Sequence, residues 1–153
     1  MTSTTTKRLC GQCGERAVVG IARVGRTTTY KNLELEMPSQ LVLPTCEKCG
    51  AEWIDERTAK ALDDALEGLY QDKLRERLDA ALKIILLEEG SQTRVEKLLG
   101  VSPGYLSKLK LGKRQPSAEI VSMLALVSRS PKRRLAELDK FYHPDGGRKR
   151  AAG

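Results

Sequence analysis

Two short turns, "LCGQCGE" and "TCEKCGA", hold all four cysteines of the chain: Cys10, Cys13, Cys46 and Cys49. Their spacing is C-x2-C-x32-C-x2-C. Two such turns bring four thiolates within reach of one tetrahedral Zn²⁺, each at about 2.3 Å. Gly14 and Gly50, one residue past each pair, suit the left-handed backbone of a tight turn. A redox CxxC would need one pair and a thioredoxin-like βαβ context. Four cysteines also close the coordination shell, leaving no position for a catalytic water. The pattern therefore predicts one structural Zn²⁺ held by these four residues, supplying folding free energy to a module too small to fold alone.

That reading supposes a reducing compartment, where paired cysteines are metal ligands rather than disulfides. No apolar run approaches the ~20 residues of a membrane span. The start "MTSTTTKR" lacks the apolar core of a signal peptide. The expectation is a cytoplasmic protein without a membrane partner.

Between the cysteine pairs the hydrophobic period is short. "AVVGIARV", "TTTYKNLELEM" and "QLVLPT" are rich in β-branched residues, alternate in part (Leu33, Leu35, Met37), and are punctuated by Gly25 and Pro38. This predicts a small antiparallel sheet of about three strands. After Cys49 the period becomes helical. Leucines recur at 62, 66 and 69 and again at 74, 78, 82 and 86, with a shift at Gly68–Asp72. One kinked helix or two consecutive helices would fit, with Asp55 and Glu56 as start signals and Gly90 as the stop. "QTRVEKLLG", "SPGYLSKLK", "SAEIVSMLALVS" and "PKRRLAELDKFY" read as short helices. The fold class expected is α+β, a small zinc-bound antiparallel β-module followed by an all-α helix-turn-helix domain. The expected organisation is a disordered tail at 1–9, the zinc module at 10–53 and a linking helix at 54–72. The helix-turn-helix domain follows at 73–143, then a flexible basic tail at 144–153.

The helix-turn-helix reading rests on a 20-residue frame beginning at Gln92. Its fourth, eighth, tenth, fifteenth and eighteenth places require apolar residues, and these are Val95, Leu99, Val101, Leu106 and Leu109. The ninth place, the turn, is Gly100. Ser102 is expected to cap the second helix, with Pro103 in its first turn. That helix would lie in the major groove with Ser102, Gly104, Tyr105, Ser107 and Lys108 outward. Gly104 would let the backbone approach DNA closely. Lys108, Lys110, Lys113 and Arg114 would meet phosphates or guanines. Charge agrees with this placement. Residues 91–153 carry 14 Lys/Arg against 5 Asp/Glu, whereas residues 51–90 carry 6 against 11.

The segment "SQTRVEKLLGVSPGYLSKLKLGKRQPSAEIVSMLALV" resembles the Xre/Cro-type repressor domain. Set behind a CxxC…CxxC module whose exit reads "LVLPTCEKCGAEWID", the chain is similar to the MqsA family of antitoxins. That family joins a YgiT-type zinc finger to an Xre-type domain. The resemblance covers most of residues 10–128. It implies that the zinc module binds a small RNA-cleaving toxin and that the helix-turn-helix unit dimerises and represses its own operon. It implies Cys10, Cys13, Cys46 and Cys49 as zinc ligands. Ser102, Gly104, Tyr105 and Lys108 would lie at the groove, and Gln92 and Thr93 at the DNA backbone. The DNA partner would be a palindromic operator. One departure stands out: the fifth place of the frame, usually a small Ala, is Glu96. Either the helix crossing opens or Glu96 points to solvent. Residues 55–70, beyond what a simple linker needs, could form a dimer contact or a toxin-facing surface.

Two other readings stay open. One is a stand-alone zinc-containing transcriptional repressor of a phage or mobile element. The other is an adaptor whose zinc module docks a protein machine without specific DNA binding. No Ser/His/Asp pattern or phosphate loop is present, so an enzyme is not expected. Trp53, the single tryptophan, is expected to pack on the zinc knuckle. His143, the single histidine, should have a surface or capping role. The run "RKR" at 148–150 is expected to be a solvated tail.

Overall fold

A computed structural model describes residues 7–145. Residues 1–6 of the expected N-terminal tail and 146–153 of the basic tail, including the run at 148–150, lie outside the described residues. The chain forms two compact units, dividing between Tyr70 and Gln71.

The first unit is built on β-structure. Strands β1 (Arg8–Leu9), β2 (Arg16–Ala22) and β5 (Val42–Cys46) form an antiparallel sheet in the order β1-β2-β5. Strands β3 (Thr27–Tyr30) and β4 (Leu33–Glu36) form a separate two-stranded hairpin. Among the described residues the expected sheet of about three strands between the cysteine pairs is instead β2 to β5, shared by two sheets, and β1 falls on residues expected to be a disordered tail. Between β2 and β3, Arg26 bonds across this unit. Its guanidinium donates to the carbonyls of Ile21 (3.2 Å) and Leu41 (3.3 Å) and to Glu52 Oε1 (2.9 Å). A side chain thus satisfies two backbone acceptors. That contact also holds the Glu52 carboxyl below its ordinary range, first through the Arg26 hydrogen bond. Within the main sheet, the Val42 side chain of β5 fills the space beside Gly20. A Cβ there would sit 2.5 Å from Val42 Cγ1.

Helix α1 (Glu56–Glu89) is one continuous helix of 34 residues, not two. Asp55 caps it, its Oδ1 accepting from the Thr58 amide (2.9 Å) and hydroxyl (2.6 Å), and Gly90 ends it at φ 68°. The apparent break in the leucine stripe disappears because Tyr70, not Leu69, carries it. Leu62, Leu66, Tyr70, Leu74, Leu78 and Leu82 are all buried at four-residue intervals. In the first unit this helix meets the hairpin turn. Tyr30 Oη and Lys31 Nζ both donate to Glu67 Oε2 at 2.7 Å, and Tyr70 Oη donates to Asn32 Oδ1 at 3.0 Å. Lys31 Nζ also lies 4.6 Å from the centre of the Tyr70 ring.

The second unit is helical. The rest of α1 packs with α2 (Gln92–Leu98), α3 (Tyr105–Lys110), α4 (Ala118–Ser128) and α5 (Pro131–Tyr142). Its core contains Leu78, Ile85, Val95, Leu106, Leu109, Leu124 and Leu135, each with no measurable exposure. Leu78→Ala should therefore destabilise this unit by about 2–5 kcal/mol. Urea unfolding followed by helical circular dichroism checks that value, and a loss below about 1 kcal/mol would mean the site collapses around the cavity. Among the described residues no helix is long and apolar enough to cross a membrane.

Candidate metal centre and nucleic-acid interface

The two cysteine turns are built alike. The carbonyl of Cys10 accepts from the amide of Gly14, and that of Cys46 from the amide of Gly50, both at 2.9 Å. The amide of Cys10 donates to the Glu15 carbonyl and that of Cys46 to the Ala51 carbonyl. Gly14 and Gly50 take φ of 75° and 74°, so glycine after each pair answers a backbone demand at both turns. In each turn the first cysteine is buried and the second exposed.

The four sulfurs lie within 4.8 Å of one another. Across the turns, Cys10 Sγ and Cys49 Sγ are 3.7 Å apart, as are Cys13 Sγ and Cys46 Sγ. Tetrahedral Zn–S bonds of about 2.3 Å require S···S separations of about 3.8 Å. The donor set fits, and the four cysteines constitute one structural zinc site. Backbone amides of Cys13 and Gln12 lower the Cys10 thiol to about 7. Against a lowering amide of Glu15, desolvation and the crowded sulfurs of Cys10, Cys46 and Cys49 push Cys13 up to about 12. Four thiolates this close repel, and a divalent cation relieves that repulsion. Ala17, Val18 and the two buried cysteines form a small apolar cluster, with Trp53 packed against it. Trp53 therefore sits where the sequence reading placed it.

In the second unit the 20-residue frame is realised. Gln92 begins α2; Val95, Leu99, Leu106 and Leu109 are buried, and Val101 is half-buried. Gly100 turns the chain at φ 68°, its amide donating to the Lys97 carbonyl (3.2 Å) and that of Val101 to the Glu96 carbonyl (3.0 Å). This is the Schellman ending of a helix. The same device ends α3. There the amide of Gly112 donates to the Leu109 carbonyl and that of Lys113 to the Lys108 carbonyl. The chain thus doubles back after the second helix and brings Lys113 and Arg114 beside Lys108. Arg114 lies 4.9 Å over the Tyr105 ring.

Two local expectations are corrected. Ser102 does not cap the second helix: Gly104 is its N-cap, at φ 77°, a conformation that favours glycine. Gly104→Ala should cost about 1–2 kcal/mol, seen as a lowered melting temperature of the helical unit. An unchanged melting temperature would show that the turn relaxes. Glu96 does not point to solvent. It is only 3 % exposed and faces the second helix. Its Oε2 accepts from the Gly104 amide and its Oε1 from the Leu106 amide, both at 2.9 Å. The carboxylate does the capping that a side chain at position 102 or 104 would have done, so Ser102 is released to the surface.

Of the expected interface residues, Thr93, Ser102, Lys108, Lys110, Lys113 and Arg114 are exposed, whereas Gln92, Gly104, Tyr105 and Ser107 are half-buried. The Gln92 side-chain amide donates to Ser107 Oγ (2.7 Å) and to Glu96 Oε1 (3.2 Å). Arg75 was not legible as part of this region. Its Nη1 donates to the Leu109 carbonyl at 2.9 Å, near the C-terminal end of α3. Nothing in the local sequence marks it, whereas the acid at the fifth place of the frame did flag Glu96. His143 is exposed, and its backbone amide closes the end of α5 on the Asp139 carbonyl at 2.8 Å.

A helix-turn-helix domain in the second unit implies a DNA-binding transcription regulator. A family model, the helix-turn-helix of the Xre type, matches residues 83–127, less than a third of the chain. No curated protein matches the sequence.

Proposed function

We propose that the protein is the antitoxin of a type II toxin–antitoxin system. In this reading it binds a small ribonuclease-type toxin through the zinc module and represses its own operon through the helix-turn-helix unit. It acts as a cytoplasmic homodimer, nucleoid-associated on its operator, and it catalyses nothing itself. The observation that carries the reading is the order of parts: a four-cysteine β-module followed by an Xre-type domain, as in the family it resembles. The basic cluster of Lys108, Lys110, Lys113 and Arg114 supports operator binding, with Gln92, Thr93, Ser102, Gly104, Tyr105 and Ser107 as the further proposed contacts. A dimer would read half-sites about one helical turn, or a multiple of it, apart.

Capture of the tagged full chain from its native host, with mass spectrometry of what comes with it, tests the proposal. The expected result is one small partner in near-equal amount, lost when Cys46→Ser removes the zinc module. Recovery of DNA with no stoichiometric protein partner would overturn the antitoxin reading and leave a stand-alone repressor.

A further inference from the structure

Helix α3 has only six residues, Tyr105–Lys110. Isolated helices shorter than about 12 residues are marginal in water, so its pose must come from its surroundings. Two side chains from other helices grip its two ends. At the N-terminus the buried Glu96 of α2 accepts from the Gly104 and Leu106 amides. At the C-terminus Arg75 of α1 donates to the Leu109 carbonyl. An anion at the positive end and a cation at the negative end match the helix dipole. Because carboxylate and guanidinium hydrogen bonds are directional, the pair sets the helix's translation and rotation, which apolar packing alone leaves softer.

The grip extends to the reading residues. Gln92 donates to both Glu96 and Ser107, so one carboxylate orders the start of α2 and the middle of α3 together. Tyr105 lies in the segment held between the two ends, and Arg114 stacks on its ring. Neither Glu96 nor the bonded end of Arg75 belongs to the basic cluster.

We infer that Glu96 and Arg75 are positioning residues for sequence discrimination: together they clamp the recognition helix in the pose that reads bases, while the lysines supply the general attraction to DNA. The inference rests on the DNA-binding reading above but does not depend on the toxin.

The test uses the full chain and two probes. One is a duplex enriched by the wild-type protein from a random-sequence library; the other is a scrambled duplex of the same composition. Glu96→Ala, Glu96→Gln, Arg75→Met and Arg75→Lys are compared at a temperature where each melts as a folded protein. Glu96→Ala and Arg75→Met should weaken binding to the selected duplex by about tenfold or more. They should change binding to the scrambled duplex less than about twofold and leave the salt slope as it was, since no phosphate contact is removed. Arg75→Lys should restore most of the discrimination, and Glu96→Gln, which keeps one acceptor, part of it. Equal losses on both duplexes would overturn the inference, as would unchanged discrimination in the folded variants. Unfolding of both Glu96→Ala and Arg75→Met would also overturn it, because the pair would then hold the fold rather than the pose. If the wild type itself enriches no sequence, the DNA-reading premise fails first, and that failure is visible without any variant.

Discussion

Replacing Cys46 by serine is expected to abolish zinc binding and unfold residues 10–53 while the helical unit stays folded. Cys46 is buried, ends β5, and supplies a sulfur 3.7 Å from that of Cys13. Structural zinc contributes on the order of 10–16 kcal/mol at neutral pH, more than a small β-module can replace by burial. The apolar cluster beside the metal is small, and two of its members are Cys10 and Cys46 themselves. The effect should therefore be all or none for this unit. Metal content by mass spectrometry and backbone amide spectra check it together: zinc lost, signals of 10–53 collapsed, signals of the helical unit dispersed. A chelator should do the same to the wild type. Acidification should also release the metal, because thiolates must stay deprotonated to bind it and affinity therefore falls with pH. A module that keeps its dispersed spectrum without zinc would refute the structural role of the metal. Collapse of both units together would refute their independence.

Removing three cations at once should have the next largest effect. Lys108, Lys110 and Lys113 are exposed at the end of α3 and just beyond its Schellman turn. If each neutralises one phosphate, their joint replacement by alanine lowers the slope of log K against log salt by about 2.7. At about 0.15 M salt this corresponds to a loss on the order of 100-fold to 200-fold in affinity, near 3 kcal/mol. Titration of selected and scrambled duplexes at several salt concentrations checks it. Both should weaken together, in contrast to the Glu96 and Arg75 variants. A slope unchanged by the triple substitution would take these lysines off the DNA and move the interface elsewhere on the unit.

The features that local chemistry dictates were legible in the sequence. A CxxCG turn has one way to present two sulfurs, so the ligand set and both glycine conformations could be read directly. Likewise the spacing of Val95, Leu99, Gly100, Leu106 and Leu109 specifies a helix pair of one kind, and Gly90 and Asp55 mark helix ends by their backbone preferences. Reading failed where a residue's role depends on a partner distant in the chain. Arg26 bonds the carbonyls of Ile21 and Leu41, which its local sequence does not announce. Tyr70 continues a stripe that leucines alone seemed to break, because burial asks for apolar bulk and not for one residue type. Ser102 looked like a cap because local preference favours serine, but the Glu96 carboxylate already occupies the amides it would have served.

What the sequence by itself determined is the set of chemical requirements: four thiolates for one tetrahedral ion, a basic C-terminal surface, and a helix-turn-helix frame with glycine at its turn. These follow from spacing and residue type, which act over a few bonds or one helical turn. Only the tertiary structure decided how the requirements are met at the recognition helix. A six-residue helix cannot fix its own pose, so Glu96 and Arg75 fix it from two other helices. The distances of 2.9 Å on which that depends arise only when segments 8 to 34 residues apart are packed together.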